Sequence, residues 1–461
     1  MKKCKYFGTD GIRGIIGQDF TPELVTRIAN ATAAYIEKRP ARVIIGWDTR
    51  ASCDFIVHIF SGVLSGYGID VINVGVVPSA ALSFLTNKLG VDLGIMVSAS
   101  HCSWEYNGLK YFMPTGEKLC KTETYKFDKL IVGRAKPQEP SKTLGTITHD
   151  QKAIKLWQTF LVKKFKTLQN SKLKVAIDCA FGSGTECAQE VLKTLGINAT
   201  FFNSKPTGLN INDGCGATKP SYMRTAMQNG KFDIGFAFDG DADRCIVFDA
   251  DGNHIHGDIV IYLLAKHLKD RGQLAKNKVV GTILFNLGVE KQLFELGIKF
   301  IRTDVGDAYV YHAMKVGNLS MGGETSGHIN FADIWCTGDG LVVALMVLAV
   351  IVSGAKRNAE SVKTRSGLSL TELANKVTLY PQVNINAQAT PDQKRKLFAD
   401  EGFNKFIKTT QAKNKDFRII VRPSGTENIV RVTVEGADKT ACEKIAADIV
   451  VQTRKVFATK K

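Results

Sequence analysis

The sequence predicts an α/β protein that is built from four consecutive units. Its 461 residues exceed what a single hydrophobic core organises, and a chain of this length usually forms roughly three or four domains. Short apolar segments alternate with segments of helical periodicity, and this strand–helix–strand order is typical of parallel sheets that helices cover. A polar segment at residues 133–142 interrupts the alternation and is the strongest linker candidate.

The first two units carry the clearest strand signals. The run at residues 41–46 is almost entirely apolar, as expected of a strand buried in a parallel sheet. The Asp251-Gly252 pair separates two short strand-like segments and predicts a β-hairpin. The other predicted elements of these units are strands at 70–74, 93–97, 173–178 and 232–238, a helical segment from Phe55, a helix near 152–165, and a turn at 182–184 that leads into a further helix.

The last two units begin near Gly257 and Leu370. The third contains a predicted strand at residues 278–284 and the longest apolar run, residues 341–352. This run is shorter than the roughly 20 residues of a membrane span, so it predicts a buried helix. The fourth unit contains a helix after two strands. The predicted strands lie at 417–421 and 429–434, and the predicted domains at 1–145, 150–256, 257–368 and 369–461.

Charge and cysteine usage restrict the function classes. The ten cysteines are scattered and include no CxxC pair, which favours a reducing compartment over a disulfide-bonded secreted protein. The N-terminus shows no apolar segment of the signal-peptide type, so we expect a cytoplasmic protein without a membrane anchor. The net charge of +17 is spread along the chain, which favours a generally basic surface over a nucleic-acid interface. The same field would attract an anionic substrate.

Asp239, Asp241 and Asp243 lie at alternate positions directly after a hydrophobic strand. In a nearly extended loop these carboxylates would turn toward one point, where like charges raise each other's pKa unless a cation is present. Oxygen ligands without histidine or cysteine nearby favour Mg²⁺ or a similar ion. An EF-hand is excluded because Arg244 stands where that loop needs glycine and Ala250 where it needs glutamate. A solvated acidic turn is the alternative.

Ser100 and His101 are neighbours in a segment that follows a predicted strand. A serine beside a histidine is a candidate nucleophile, although such pairs also occur in ordinary turns. The surrounding residues do not form the Gly-x-Ser-x-Gly elbow of the α/β-hydrolases. Near the N-terminus, Arg13 places a cation in a glycine-rich segment, which carries little information by itself.

Two later segments offer polar groups to a phosphorylated ligand. Glu324 and Ser326 alternate in a glycine-rich loop, where they present an acceptor and a donor suited to sugar hydroxyls. A flexible polar loop is the alternative reading of that segment. The turn between the last two predicted strands combines a guanidinium fork with hydroxyls and exposed amides, which suits a phosphate as well as an ordinary turn. Its residues are Arg422, Ser424, Gly425 and Thr426.

Taken together and in this order, the five motifs resemble those of the α-D-phosphohexomutase superfamily, and the resemblance covers essentially the whole chain. Further matching segments lie at 286–290, 302–310, 337–340 and 379–383. The resemblance implies a fold of three related α/β domains plus a smaller C-terminal α+β domain around a central cleft. It also implies a phosphosugar mutase, which is an isomerase.

The resemblance assigns a role to each motif. Ser100 would be the phosphoserine, and its phosphate together with Asp239, Asp241 and Asp243 would hold one Mg²⁺ per active site. The transferring group would be surrounded by Arg13, His101, Lys110 and Arg244. Of these, Lys110 is also a candidate proton shuttle. Glu324 and Ser326 would bind the sugar hydroxyls. The phosphate that is not transferred would be bound by Arg422, Ser424, Gly425, Thr426 and Arg431.

The branch of the superfamily that the chain resembles most acts on amino-sugar phosphates. The expected reaction converts glucosamine 6-phosphate to glucosamine 1-phosphate through a bisphosphorylated sugar, and supplies amino-sugar nucleotide and cell-wall precursor synthesis. A sugar bisphosphate or a kinase would first phosphorylate Ser100, and a homodimer is one candidate for the oligomeric state. The alternatives are a phosphomannomutase or phosphoglucomutase, and a non-catalytic member of the fold that binds nucleic acid.

The chain departs from the superfamily pattern at two places. After Ser100-His101 the superfamily usually continues Asn-Pro, but this chain has Cys102-Ser103. Loss of the proline removes a constraint on the backbone next to the nucleophile, so we expect a less rigid loop. In the second unit, Lys219 stands where a histidine is usual. Both departures bear on rate and substrate choice more than on the class of reaction.

Overall fold

The computed structural model describes residues 4–8, 10–37, 40–137, 143–357, 369–424 and 427–458. The chain divides into a large unit, residues 1–284 with 299–374, and a small unit, residues 285–298 with 375–461. The predicted linker is described only in part, because residues 138–142 lie outside the described ranges. Among the described helices, none combines the length and the apolar content that a membrane-spanning segment requires.

The first sheet of the large unit is formed by residues 12–149. Its elements are β1 (Ile12–Ile15), α1 (Pro22–Tyr35), β2 (Ala41–Trp47), α2 (Cys53–Gly66), β3 (Ile69–Val76), α3 (Ser79–Lys88), β4 (Leu93–Val97), β5 (Tyr106–Phe112), α4 (Lys121–Val132) and β6 (Ile147–His149). The strand order is β1-β5-β4-β2-β3-β6, with β4, β2, β3 and β6 parallel and β5 antiparallel to both neighbours. The three strands predicted here are confirmed. Strand β5 was not predicted, because Asn107, Gly108 and Lys110 interrupt its apolar pattern.

The second sheet belongs to residues 174–255 and follows helix α5 (Ile154–Lys164). Its elements are β7 (Lys174–Asp178), α6 (Gly184–Thr194), β8 (Asn198–Phe202), α7 (Pro220–Asn229), β9 (Ile234–Phe238), β10 (Cys245–Phe248) and β11 (His254–Ile255). The order is β11-β10-β9-β7-β8, with β9, β7 and β8 parallel. Strands β10 and β11 pair antiparallel around the Asp251-Gly252 turn, so the predicted hairpin is confirmed.

The third sheet of the large unit has the strand order β13-β12-β14-β15. The elements of this part of the chain are α8 (Gly257–Asp270), β12 (Lys278–Thr282), α9 (Leu287–Glu295), β13 (Lys299–Thr303), α10 (Asp307–Gly317), β14 (Met321–Gly323), β15 (Ile329–Phe331), α11 (Gly340–Arg357) and α12 (Leu370–Ala374). The predicted apolar helix is α11, whose side chains from Leu341 to Leu348 are all buried. Helix α9 belongs to the small unit by its contacts.

The small unit is an antiparallel sheet covered by helices. After α9 its elements are β16 (Gln382–Gln388), α13 (Pro391–Ala399), α14 (Glu401–Lys413), β17 (Arg418–Pro423), β18 (Ile429–Glu435) and α15 (Lys439–Ala458), with strand order β16-β18-β17. Val430, Val432 and Val434 of the central strand pack on Ala446 and Ile449 of α15. Three α/β layers in one unit and an α+β layer in the other confirm the predicted fold class.

Two strands position most of the candidate site. Strands β4 and β9 are buried at every residue, and each is followed immediately by a polar segment. In α/β sheets ligands bind beyond the carboxyl ends of the strands, where the chain leaves the apolar core. We call residues 98–106 the serine loop and residues 239–244 the acidic loop.

Candidate active site

Ser100 lies in the serine loop, with only 1% of its surface exposed. Its Oγ donates a hydrogen bond to Asp239 Oδ2 at 2.7 Å and lies 3.4 Å from His101 Nδ1. The backbone of Ser100 has φ of +53°, in the left-handed region that non-glycine residues seldom adopt. A buried serine in a strained backbone, directed at a carboxylate, has the features of a functional hydroxyl rather than of a surface turn.

Asp239, Asp241 and Asp243 converge as predicted, and one carboxylate oxygen from each lies within 4.8 Å of the other two. All three are buried. The prediction of a nearly extended loop is wrong. Ala242 has φ of +55°, and its amide donates to Asp239 O at 3.0 Å, so the acidic loop is a tight turn. The turn, rather than an extended chain, directs the three side chains to one place.

The acidic loop fits a divalent cation. Three buried carboxylates without histidine or cysteine ligands are the donor set of Mg²⁺ and similar hard ions. Among the described residues, Asp241 Oδ1 has no hydrogen-bond partner, although it is fully buried. A buried carboxylate oxygen without a donor is costly, and a cation would satisfy it. Asp239, Asp241 and Asp243 could therefore hold a metal ion.

The pKa values of Asp239 and Asp243 are shifted in opposite directions. Burial, reinforced by the charges of Asp243 and Asp241, raises the pKa of Asp239 to about 7. Burial would also raise the pKa of Asp243, but Lys110 and His328 outweigh it and hold that pKa well below its ordinary value. Without a metal ion, Asp239 therefore gains a proton before Asp243 as the pH falls.

Lys110 lies on β5 and is 2% exposed. Its Nζ is 2.6 Å from Asp241 Oδ2, 2.9 Å from Asp243 Oδ2 and 3.0 Å from Asp10 Oδ2. Burial favours the neutral amine, but these three carboxylates outweigh it and raise the pKa of Lys110 well above its ordinary value. Lys110 is thus held as an ammonium ion, and its predicted role as a proton shuttle stays a prediction.

Further cations line a cavity of about 370 Å³ in the large unit. Arg13, His101 and Arg244 all contribute to its wall, together with Asp243 and Glu324. Burial and the charges of Arg244 and Arg13 lower the pKa of His101 to about 4, which leaves the imidazole neutral near pH 7. The Arg244 Nε atom is buried without a hydrogen-bond partner among the described residues. An anionic ligand in this cavity would meet two guanidinium groups.

The glycine-rich loop is the turn of a short hairpin between β14 and β15. Glu324 Oε1 accepts a hydrogen bond from Gly306 N at 3.0 Å, and Gly327 N donates to Glu324 O at 3.0 Å. Glu324 faces the cavity, and Ser326 is half-buried in the same turn. The segment is therefore an ordered hairpin turn rather than a flexible polar loop.

The predicted phosphate-binding residues lie in the small unit. Arg422 on β17 stands directly opposite Arg431 on β18, and burial together with the Arg431 charge lowers the pKa of Arg422. Among the described residues, neither Nε atom has a hydrogen-bond partner. Ser424 is buried, whereas Gly425 and Thr426 lie outside the described residues. Arg431 forms an ion pair with Glu427, whereas Arg422 faces the guanidinium of Arg431 across the strands, and like charges placed in this way repel each other.

Comparison with known proteins identifies the family. Four domain models of phosphoglucomutase/phosphomannomutase match the chain in order: α/β/α domain I at residues 4–134, domain II at 155–252, domain III at 256–378 and the C-terminal domain at 382–452. The chain belongs to the phosphoglucomutase/phosphomannomutase family. The predicted resemblance and the predicted class of enzyme, a phosphosugar mutase, are thereby confirmed.

Similar members of the phosphoglucomutase/phosphomannomutase family cover nearly the whole chain. A phosphoglucosamine mutase of Ruminiclostridium cellulolyticum is 36% identical over 97% of this chain and 98% of that protein. A family protein of Burkholderia thailandensis matches the fold with a TM-score of 0.81 at 21% identity, over 98% of both chains. The N-acetylphosphoglucosamine mutase of Aspergillus fumigatus, solved with GlcNAc-6P and magnesium, has a TM-score of 0.64 at 19% identity and covers 98% of this chain and 96% of that chain.

In this member of the family, four site residues escaped the sequence prediction. They form, with two predicted residues, a closed ring of alternating charge: Asp243, Lys110, Asp10, Lys118, Asp307 and His328. The new contacts are 2.7 Å from Asp10 to Lys118, 3.0 Å from Lys118 to Asp307, 2.9 Å from Asp307 to His328 and 3.5 Å from His328 to Asp243. We call this set the charge ring.

His328 carries a positive charge in the charge ring. Burial alone would lower its pKa, but Asp307 and Asp243 outweigh burial and raise the pKa to about 10. Asp10 and Asp307 are held ionised in turn, although burial alone would raise both pKa values. Lys110 and Lys118 lower the pKa of Asp10. His328 and Lys118 lower the pKa of Asp307. The ring thus joins the N-terminal segment, β5, the start of α10 and the β14–β15 hairpin around the acidic loop.

Proposed function

We propose that the protein interconverts glucosamine 6-phosphate and glucosamine 1-phosphate, with Ser100 as the group that carries the phosphoryl between turnovers. The relative from Ruminiclostridium cellulolyticum, at 36% identity, is named phosphoglucosamine mutase, which supports the amino-sugar substrate. The observation that carries the proposal is the 2.7 Å hydrogen bond from Ser100 Oγ to Asp239 inside a buried acidic set. A mannose or glucose phosphate is the alternative substrate.

Phosphoryl transfer needs alignment of the reacting oxygens and neutralisation of charge more than covalent help. Transfer from phosphoserine to the free sugar hydroxyl breaks the Ser100 Oγ–P bond and forms a sugar O–P bond, while the sugar hydroxyl loses its proton and Ser100 Oγ gains one. The product is a bisphosphorylated sugar. The return of its other phosphoryl group to Ser100 regenerates the enzyme and leaves the isomeric monophosphate. Asp239 accepts a hydrogen bond from the Ser100 hydroxyl, and this bond orients Oγ before the return transfer.

The chain's own groups supply a charged frame for that transfer. Asp239, Asp241 and Asp243 would hold Mg²⁺, which when bound contributes positive charge beside the phosphoryl group. Arg13 and Arg244 line the cavity and would bind the phosphoryl oxygens from the other side. The His101 imidazole is neutral and lies 3.4 Å from Ser100 Oγ, so it could accept a proton from the Ser100 hydroxyl directly. Such general base help contributes about 10²–10⁴-fold in known enzymes.

The hairpin turn and the small unit each carry groups suited to part of a phosphosugar. One oxygen of Glu324 is held by Gly306, which leaves the carboxylate oriented toward sugar hydroxyls, and Ser326 offers a hydroxyl in the same turn. Arg422, Ser424, Gly425, Thr426 and Arg431 would bind the phosphate that is not transferred. The opposed Arg422 and Arg431 support this assignment, since an anion relieves their repulsion.

A mutase assay tests the proposal. Purified protein with MgCl₂ and glucose 1,6-bisphosphate as primer would be given glucosamine 6-phosphate, mannose 6-phosphate or glucose 6-phosphate in separate reactions. We expect turnover to be fastest with the amino sugar and to disappear in Ser100→Ala. Faster turnover of mannose or glucose phosphate would overturn the substrate, and full activity of Ser100→Ala would overturn the phosphoserine. Priming by a kinase, a homodimer and a cytoplasmic location stay predictions.

A further inference from the structure

We propose that Arg50, assisted by Asn212, is a positioning residue that fixes the backbone of the serine loop for phosphoryl transfer. Arg50 follows β2, and none of its hydrogen-bond partners among the described residues lines the cavity. The inference rests on the proposed role of Ser100, but the geometry of the loop that it explains is independent of the substrate.

Arg50 uses every N–H of its guanidinium group, and the side chain is 2% exposed. Its Nε donates to Asp48 Oδ2 at 2.9 Å. Both terminal nitrogens donate only to main-chain carbonyls of the serine loop. These acceptors are Ser100 O at 3.0 Å, Cys102 O at 2.8 Å, Tyr106 O at 2.9 Å, and Ser103 O. A buried charge is costly unless its hydrogen bonds are made, and here four of the five are made to this one loop.

Asn212 holds the same loop from the second α/β layer. Its Nδ2 donates to Ser100 O at 2.9 Å and to Cys102 O at 2.9 Å. Ser100 O therefore accepts from two side chains that lie 162 residues apart in sequence, since Arg50 contacts it across 50 residues and Asn212 across 112. Both lone pairs of the Ser100 carbonyl oxygen are thus used by side chains of other segments.

The amide side of Ser100 is fixed by the same cluster. Ser100 N donates to Ser98 Oγ at 2.9 Å, and Ser98 Oγ donates to Asp48 Oδ2 at 2.6 Å. Asp48 is fully buried and is also the ion-pair partner of Arg50. Both peptide groups of Ser100 are thus tied, directly or through Ser98, to the Asp48–Arg50 pair. This explains how a non-glycine residue is held at φ of +53°.

These hydrogen bonds also supply the backbone constraint that a proline would otherwise give to this loop. Cys102 and Ser103 do not themselves restrict the backbone dihedral angles. The hydrogen bonds from the Arg50 guanidinium to the carbonyls of residues 100, 102, 103 and 106 restrict them instead. A lysine at position 50 would keep the charge beside Asp48. It could not reproduce a planar fork that reaches four carbonyls.

Arg50→Lys tests the proposal, with Arg42→Lys as its matched control. Arg42 lies on β2 and also donates to two carbonyls, Leu89 O and Gly90 O, but far from the serine loop and on the surface. We expect Arg50→Lys to speed hydrogen exchange of the amides in residues 98–106 and to lower kcat about 10²-fold, because small displacements of a reacting group cost that much. The KM should stay within about threefold, since Arg50 contacts no substrate group. Arg42→Lys should change neither quantity.

Asn212→Asp is the second variant, and it decides the matter if Arg50→Lys fails to fold. Aspartate tolerates the +59° φ of Asn212 but offers no donor to the two carbonyls. We expect faster exchange of the same amides and a decrease of about tenfold in kcat. Unchanged exchange in residues 98–106, or unchanged kcat with faster exchange, would overturn the proposal. Because exchange is measured without substrate, inactivity of the wild-type protein toward every sugar phosphate would refute the proposed function and leave the test of Arg50 intact.

Discussion

The serine loop and the acidic loop each follow a buried strand, but they are held in opposite ways. The serine loop presents its carbonyl oxygens to one cation, Arg50, whose remaining side-chain hydrogen bond in the described structure goes to Asp48. The acidic loop is fixed through its backbone by uncharged neighbours: Ser79 N donates to Asp241 O, Ser183 N to Gly240 O and Gly340 N to Ala242 O. Its charged side chains remain directed at one another.

This difference shows where a ligand can change the free energy of the site. The hydrogen bonds of the serine loop are complete within the protein, so a bound cation adds nothing to them. Within the described ranges of the chain, the acidic loop retains an oxygen of Asp241 without a hydrogen-bond partner, and the pKa of Asp239 is raised. Lys110 binds Asp241 and Asp243, but Asp239 still faces the charges of both until a metal cation binds. The first loop is therefore structurally complete without ligand, and the second is completed by one.

The largest effect is expected from Asp241→Asn, which removes one charge from the acidic loop. We expect mutase activity to fall about 10²–10³-fold, the range seen when a group that stabilises transition-state charge is lost. Steady-state kinetics at saturating MgCl₂ measures it. Asp251→Asn in the exposed hairpin turn is the control and should retain activity. A decrease of less than about tenfold in Asp241→Asn would remove the acidic loop from the chemistry.

The next effect concerns the charge ring. Lys118→Met removes the cation that Asp10 and Asp307 share, and because all three side chains are half-buried and each carboxylate keeps another cation, we expect a loss of about 1.5–3 kcal/mol. Urea denaturation followed by circular dichroism measures the loss. Lys126→Met, which breaks an ion pair with Glu123 whose lysine is 62% exposed, is the control and should cost less than about 1 kcal/mol. Equal losses in the two variants would show that the ring is no more than a surface feature.

Magnesium should stabilise the protein in a pH-dependent way. The pKa of Asp239 is about 7 in the fold against an ordinary 3.8, so the metal-free protein loses stability as the pH rises from about 4 to about 7. Metal binding requires the ionised carboxylate, so the gain in Tm on adding MgCl₂ should be larger at about pH 8 than at about pH 5.5. At a metal concentration of 100 times Kd the gain corresponds to about 2.7 kcal/mol.

Thermal denaturation with and without MgCl₂ at both pH values measures this difference, with CaCl₂ and NaCl as the comparison salts. Asp241→Asn should lose most of the gain at both pH values. A gain that is equal at the two pH values, or larger at the acidic one, would contradict the raised pKa of Asp239.

The smallest effect is expected from Cys102→Ala in the serine loop. Arg50 and Asn212 bind the carbonyl of this residue and not its side chain, so the loop should keep its geometry. We expect kcat to stay within about twofold of the wild type, as for most substitutions that leave such contacts in place. A larger decrease would show that the Cys102 thiol takes part in the site, and that the serine loop is not fixed by its backbone alone.

Much of the fold followed from local sequence patterns. Strands β2, β4 and β9 were predictable because their apolar runs are bounded by polar segments, and the β10–β11 hairpin because of its Asp-Gly turn. Strand β5 was not, since Asn107 and Lys110 are polar residues at buried positions. Their burial depends on partners that are distant in sequence, and no local pattern encodes such partners.

The candidate site divides along the same line. Ser100 and the three aspartates stand in short motifs whose spacing already indicates their chemistry. Asp10 and His328 lie inside motifs that were recognised, beside Arg13 and Glu324, and their charge was an available signal. Lys118 had none, because its importance comes only from the two carboxylates that the fold brings to its Nζ. Arg50 likewise acts through carbonyls, which every residue possesses.

The charge ring has a consequence for the order in which the protein is made. Lys118 leaves the ribosome 189 residues before Asp307, its partner, and Asp243 precedes His328 in the same way. A nascent chain that ends before the third α/β layer already carries Ser100, Lys110 and the three aspartates, but it lacks Asp307 and His328, so the charge ring cannot close. The ring is completed only when His328 has been synthesised, long after the serine and the aspartates.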